Sequence, residues 1–421
     1  MTTAHGATDV TYEDLYSRWE QCNWSVGEID FSGDREGWDG LTDLQRRSMR
    51  WQFAMFFNGE DAVTENLSPY IDAAPTEEQK YFLATQQVDE ARHTVFFARF
   101  FREVLGVEGS IADGLASCQP ELNWGYRTTF DRLDQMGDEL RRDRSLPKFA
   151  QAITMYHLVV EAALAQPGQH VIEDYVERMG IMPGFLEGMR NVARDEQRHI
   201  AFGVKTLSEL FAASDECKAA VGELLAEVMP ATAGVFAPPG FDRRYTEDLG
   251  FTLEEIYAFG FRSFETKLRA AGMGLDELPV GALPLDLEAP YEERAAVMVR
   301  MLELGVTADP TIESKPTEEA QRLLFDALER SADTSALNGR PLVVQWRFDD
   351  APPWSVRVDS SGAKAVQGEE AKPSVTLSSS WRDWLDLTFR RVDPSAAVLR
   401  RRVRPRGSPL ALWRLQRVFP R

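Results

Sequence analysis

A five-residue pattern occurs twice in this chain: Asp89-Glu90-Ala91-Arg92-His93 and, 106 positions on, Asp195-Glu196-Gln197-Arg198-His199. Both copies read Asp-Glu-x-Arg-His. In each, Glu and His stand three apart, so on a helix both side chains leave one face about a turn apart. A carboxylate oxygen and an imidazole nitrogen at that spacing can grip one metal ion, and two such helices facing each other can grip two. A lone Glu-x-x-His is ordinarily a surface pair. Here the chain has 5 His in all, and two of them fall in the same pattern inside long apolar stretches. That coincidence favours metal.

Each copy lies in a long helical pattern. Thr76-Glu-Glu-Gln79 after Pro75 reads as a capping box that opens a helix to about Leu105. Pro183-Gly184 opens another, to about Ala213. Two more patterns of this kind run from Thr42 to Ser68, stopped by Pro69, and from Pro147 through Tyr156 and Glu161 toward Gly168 or Gly180. All four are apolar on more than one side, as the helices of a bundle core are.

A dinuclear site then needs one more carboxylate from each of the other two helices. In the first, Glu60 follows Phe56-Phe57-Asn-Gly and precedes Ala-Val, with Asp61 and Glu65 as alternatives; Gly59 would allow a close approach. In the third, Glu161 is the acid available in Tyr156-His-Leu-Val-Val-Glu161-Ala-Ala-Leu-Ala. An unpaired buried carboxylate is costly, so it is neutral, paired or metal-bound. The order is therefore Glu60, Glu90-x-x-His93, Glu161, Glu196-x-x-His199, with steps of 30 and 35 residues that suit helix hairpins. Four carboxylates and two imidazoles suit iron or manganese with positions open to oxygen. Asp89 and Asp195, next to the Glu ligands, are placed to hydrogen-bond the imidazole of the facing helix and fix its tautomer, or else are solvated helix charges.

The chain's 421 residues allow two or three domains. Its net charge of −20 argues against general nucleic-acid binding. The balance is uneven: residues 382–421 hold 11 Arg and 3 Asp, a net of +8 that leaves −28 on the rest. Cys22, Cys118 and Cys217 are scattered and form no disulfide frame or thiolate metal site. The Met1–Gly6 stretch shows no leader and no apolar run is long enough to span a membrane, so a cytoplasmic setting is expected.

Further helical patterns cover 216–229, 252–272 and 290–305. Leu275–Pro290 reads as a loop, and 106–146 as looser chain with an amphipathic piece at Phe130–Arg142. The expected domains are 1–305 and 317–421, joined by a Pro-containing linker at 306–316. Beyond the linker the period changes. Leu342–Phe348, Trp354–Asp359, Lys364–Gln367 and Ser374–Ser378 read as strands between turns, flanked by helices at Thr317–Arg330 and Ser380–Arg391. The fold class is thus mainly α, a four-helix metal-carboxylate bundle with a small C-terminal α+β domain, and the bundle resembles the ferritin-like fold.

These motifs resemble the ribonucleotide reductase small-subunit superfamily and, within it, the R2-like ligand-binding oxidases. The resemblance covers roughly residues 30–270. It rests on Gly59-Glu-Asp-Ala-Val-Thr-Glu65, Asp89–His93, Tyr156-x4-Glu161 and Asp195–His199. It implies a Mn/Fe or Fe/Fe centre beside a long-chain fatty acid, and an ether cross-link between Val63 and Tyr156. It does not imply the reductase role: the radical Tyr position is Phe97, and there is no Tyr after Tyr291. Gln169 and His170 replace phenols, leaving His170 as a proton donor, an extra ligand or a packed side chain. The region from about 317 resembles a sterol-carrier-protein-2 domain, through its Val-Val-Gln-Trp-Arg-Phe strand, a meander, Ser380–Leu387 and Asp393-Pro-Ser-Ala-Ala. Such a domain would hold lipid. The Arg400–Arg406 cluster would meet acidic headgroups or the acidic bundle, or serve as a solubilising surface.

The expected function is a dinuclear oxidase or oxygenase that uses two metal ions and O2 to oxidise a C–H bond of an acyl or lipid-like substrate. An external electron donor is the expected partner, and a homodimer is compatible with this reading. The rivals are an N-oxygenase or desaturase on the same metals, and a lipid carrier with a structural metal site.

Overall fold

The computed structural model describes residues 10–279, 284–337 and 339–419. The Met1–Gly6 stretch and the centre of the 275–290 loop lie outside the described residues. The chain divides into two compact units: Met1–Leu224 with Val235–Glu277, and Leu225–Gly234 with Leu278–Arg421.

The first unit is helical. Its helices are α1 (Tyr12–Gln21), α2 (Asp43–Ala73), α3 (Glu77–Glu103), α4 (Trp124–Arg142), a composite α5 (Leu146–Ile153, Thr154–Ala165 and Gln166–Met179 in succession) and α6 (Pro183–Ala213). Helix α7 (Asp215–Thr232) follows, its residues from Leu225 on counted with the second unit, then α8 (Leu253–Ala270). The four long helices α2, α3, α5 and α6 form the bundle. Both halves of the Thr76/Gln79 capping box are made, and Pro183 stands in the first turn of α6.

Two expectations are corrected. Helix α2 does not stop at Pro69 but runs through it to Ala73. An interior proline costs a helix about 3 kcal/mol; burial of Tyr70 and Ala73 in the last turn offsets that cost. The region read as loose carries a helix over Ile111–Cys118, and α4 begins at Trp124 rather than near Phe130. There the Asn123 side chain caps the backbone N–H of Tyr126, and Tyr126 and Thr129 are buried among polar neighbours that mask the pattern.

The bundle packs around phenylalanines: the Phe185 ring of α6 lies 4.7 Å from Phe53 of α2 and 4.4 Å from Phe100 of α3. Two glycines of α6 let other helices close in. A Cβ on Gly188 would lie 2.0 Å from the Phe96 ring, and one on Gly203 2.3 Å from His157.

The second unit holds α9 (Tyr291–Glu303), α10 (Glu318–Arg330), β1 (Leu342–Phe348), β2 (Trp354–Asp359), β3 (Gly362–Gln367), β4 (Val375–Ser379), α11 (Trp381–Thr388), α12 (Pro394–Leu399), β5 (Val403–Gly407) and α13 (Pro409–Val418). The strand order is β3-β2-β1-β4-β5. The expected meander stops at β3: β4 returns parallel to β1, and β5 adds an antiparallel edge. On one sheet face Trp346 and Trp354 are buried, and Phe325 of α10 stacks on Trp354 at 4.6 Å. The basic Arg400–Arg406 stretch, expected to meet acidic headgroups or the acidic bundle or to serve as a solubilising surface, runs into β5. Arg402 pairs there with Asp383 and Asp386, and Arg404 with Asp349. The 306–316 segment lies inside this unit: Val306 and Ala308 are buried, and the carbonyls of Thr307, Ala308 and Asp309 accept from Arg391. No helix among the described residues is long and apolar enough to cross a membrane.

Candidate metal centre

The six side chains singled out by spacing converge at the centre of the bundle. One ligand atom each from Glu60, Glu90, His93 and Glu196 lies within 4.8 Å of the others, and the same holds for Glu90, Glu161, Glu196 and His199. Glu90 and Glu196 belong to both groups, so they bridge the halves. Glu60 with His93 completes one half and Glu161 with His199 the other. Asp61 and Glu65, the alternatives to Glu60, are in neither group. His93 Nδ1 lies 3.1 Å from Glu60, 3.3 Å from Glu90 and 3.5 Å from Glu196; His199 Nδ1 lies 3.1 Å from Glu90 and 3.5 Å from Glu161.

Four carboxylates in one dry pocket demand positive charge. Burial pushes Glu60 up to about 8, against the pull of His93. Glu161 and Glu196 also move up, first by burial and then by neighbouring carboxylates. Burial would raise Glu90 too, but His199 and His93 hold it well below the usual carboxylate range. Burial would lower the two histidines, yet the carboxylates around them hold both well above the usual imidazole value. Protons can supply this charge, and so can two dications. The fit to metal shows in atoms without partners: Glu161 Oε2, Glu196 Oε2 and His199 Nδ1 are buried without a hydrogen bond. Such atoms are rare in a core, and here they cluster where a metal ion would satisfy them.

The far nitrogen of each imidazole reaches across to the opposite helix. His93 Nε2 lies 3.2 Å from Asp195 Oδ2, and His199 Nε2 lies 3.2 Å from Asp89 Oδ2. Arg198 donates to both aspartates at 2.8 Å, and Arg92 lies 3.0 Å from Asp89 and 3.6 Å from Asp195. Two aspartates and two arginines thus form a neutral ring behind the histidines. Trp19 donates to Asp89 at 2.9 Å and Trp24 to Asp195 at 2.8 Å. Burial would raise Asp195, but His93 and Arg198 hold it below its usual value. From the sequence, Trp19 and Trp24 read only as aromatic anchors, and the arginines had no role. The arginines carried a signal, because each occupies the same place in the repeated motif.

Helix α5 is unusual around Glu161. Thr154–Ala165 is wound as a π-helix, and at its end the backbone N–H of Gln166 bonds the carbonyl of Glu161, five residues back. On an ordinary helix, residues five apart point about 140° apart. The wider winding brings Tyr156 and Glu161 to the same side. Tyr156 donates to Glu90 Oε1 at 2.8 Å; burial, then the carboxylates of Glu90 and Glu161, push its phenol well up. Gln86, one turn before Glu90, donates to Glu161 at 2.9 Å, and its carbonyl lies 3.1 Å from His157 Nε2. Neither Gln86 nor His157 stood out in the sequence. His170 did, but it is exposed, stacks on Phe259 at 5.2 Å and is in neither ligand group.

Beside the cluster lies a mostly apolar cavity, partly open to solvent, and both Val63 and Tyr156 line it.

Residues 7–231, more than half of the chain, match the family described as ribonucleotide reductase, small chain. The chain belongs to that family. Residues 319–420 match the SCP-2 sterol transfer family. Members of known structure share the fold. The chain is similar to an R2-like ligand-binding oxidase variant with an anaerobically reconstituted Mn/Fe cofactor, at 24% identity and TM-score 0.53 over 62% of this chain and 94% of that one. It is similar to the R2-like ligand-binding oxidase from Sulfolobus acidocaldarius at 22% identity and TM-score 0.53, over 68% and 94% of the two chains. Within this small-chain fold, the position four after His93 holds Phe97, buried and stacked on Phe56 at 6.0 Å. It offers no phenol there.

Proposed function

We propose that the protein is a dinuclear metal oxidase that uses O2 to oxidise a C–H bond of an apolar, acyl or lipid-like substrate. Glu60, Glu90, His93, Glu161, Glu196 and His199 would hold the two ions, with Glu90 and Glu196 within reach of both. The ions are Mn/Fe or Fe/Fe, the pair for which the donor set is suited and the Mn/Fe form of which the similar oxidases carry. When bound, the metal pair supplies the electron transfer and oxidising power for dioxygen chemistry. The side chains do the rest. The Glu–His cluster would fix the pair beside the cavity, Asp89 and Asp195 hold the imidazole tautomers, and the mostly apolar wall favours an apolar substrate. The observation that carries this reading is the buried, partner-poor cluster opening onto an apolar cavity.

Val63 and Tyr156 are the residues of a cross-link. A Val63 C–H and the Tyr156 O–H would be lost, a C–O bond would form, and the two electrons and two protons would pass to dioxygen. The fused SCP-2-like unit favours a lipid-like substrate, and electrons for turnover come from an external donor.

The test is elemental analysis and intact mass of protein loaded with iron and manganese under air. Two metals per chain, oxygen uptake on reduction and a loss of two hydrogens are expected. Fewer than two metals, or none of the oxygen uptake, would overturn the reading.

A further inference from the structure

The cavity beside the metal cluster takes most of its lining from two helices. From α2 it takes Gln52, Phe56, Gly59, Glu60 and Val63; from α5 it takes Tyr156, Val160, Leu164 and Gly168. The helices run in opposite directions here: a Cβ on Gly168 would meet the Phe56 ring at 3.0 Å, while Tyr156 packs at 5.7 Å against Tyr70, beyond Val63. The cavity is therefore elongated. Glu60, Glu161, Val63 and Tyr156 mark one end and Gln52 with Gly168 the other. Gln52 lies eight residues before Glu60 on one straight helix, about 12 Å at the rise of an α-helix.

Gln52 is 4% exposed. It makes no side-chain hydrogen bond to any described residue, while Tyr126, the other neutral polar side chain along that wall, donates to the Met55 carbonyl at 2.9 Å. The Gln52 amide lines the cavity, where a ligand or water can satisfy it. No Lys or Arg lines the cavity, so an anionic group near Gln52 would be buried without a counter-charge, which is costly. A neutral group that both donates and accepts would suit the amide.

We propose that Gln52 is a specificity-determining residue: it hydrogen-bonds a neutral polar group, such as a hydroxyl, amide or ester carbonyl, carried by an elongated apolar substrate whose other end lies by Glu60 in the carboxylate cluster, about 12 Å away along α2. This rests on the oxidase reading above and sharpens its substrate class. The far end of the molecule is read by Gln52, and the near end meets the carboxylate cluster.

The test measures binding of decanol, decane and decanoate to the metal-loaded full chain, by calorimetry without reductant. In the native protein decanol binds more tightly than decane. Gln52→Leu weakens decanol about tenfold, the scale of one hydrogen bond. It leaves decane within twofold, which also shows that the variant is folded, and leaves decanoate, whose carboxylate would sit by the metals and not at Gln52, unchanged. Gln52→Asn draws the amide back by one methylene and moves the preference to a longer alcohol. Equal weakening of decanol and decane, or a loss confined to decanoate, overturns the proposal. Because no turnover is involved, this binding pattern can hold while oxygen uptake fails, and the reverse, so the two readings fall separately.

Discussion

The two halves of the metal cluster are built from one motif and finished differently. Helices α3 and α6 present His93 and His199 alike, each backed by the aspartate of the other helix. The remaining carboxylates differ. Glu60 sits on regularly wound α2 after Gly59, whereas Glu161 sits in the π-wound part of α5 and accepts from Gln86. The ring behind the histidines is also uneven, with Arg198 2.8 Å from both aspartates but Arg92 3.6 Å from Asp195. A repeated motif gives two ions nearly the same imidazole, and the unrepeated helices make their surroundings unequal. That is the arrangement expected of a site that distinguishes two ions.

The comparison is broken most severely at the shared ligands. Glu196→Ala removes a carboxylate from both halves and should take bound metal from two ions per chain to nearly none, whereas Glu60→Ala or Glu161→Ala should each leave about one; elemental analysis after gel filtration decides. The stabilisation of about 2.7 kcal/mol given by ions at a hundredfold excess over Kd should disappear with Glu196→Ala, read as loss of the melting-temperature rise on metal addition.

Next come the arginines. Arg198→Gln leaves two buried aspartates short of a cation and should cost about 3 kcal/mol, with metal affinity down about tenfold to a hundredfold. Arg92→Gln, more exposed and farther from Asp195, should cost less than half of that. Equal costs in denaturant titrations would mean that the ring is symmetric.

His157 tests the α5 side through pH. Burial lowers it from 6.5 to about 3. As pH falls between those values the unfolded chain takes up a proton that the folded chain refuses, so stability is present above about pH 6.5 and is lost on acidification. His157→Gln should remove about 1.4 kcal/mol per pH unit of that slope, measured as the difference between the two proteins' unfolding free energies.

The smallest expected effect is at the tryptophans. Trp19→Phe and Trp24→Phe each remove one hydrogen bond to an aspartate, worth about 1 kcal/mol, and denaturation midpoints should shift accordingly.

Much of the bundle is legible in the sequence because its signals are local. The Thr76/Gln79 box, Pro183 and the apolar periodicity delimit α3 and α6, and an acid within an apolar run marks Glu60 and Glu161. What escapes is set by tertiary packing. The run around Glu161 is rich in Ala, Val and Leu, which wind equally well as an ordinary helix, so nothing local announces the π turn. Pro69 is a stop signal that burial of Tyr70 overrides. Gln86 looks like a surface amide until α5 lies against it. In the second unit the alternation of β1 and β2 is plain, whereas the parallel return of β4 and the short Arg-rich β5 depend on pairings distant in the sequence.

Arg198 grips both aspartates, and each aspartate touches the histidine of the opposite half, so neither imidazole can turn without pulling on the other. Loading should then be cooperative: the first ion to arrive straightens the acceptor set for the second. Titration curves should rise more steeply than those of two independent sites, and Arg198→Gln should flatten them.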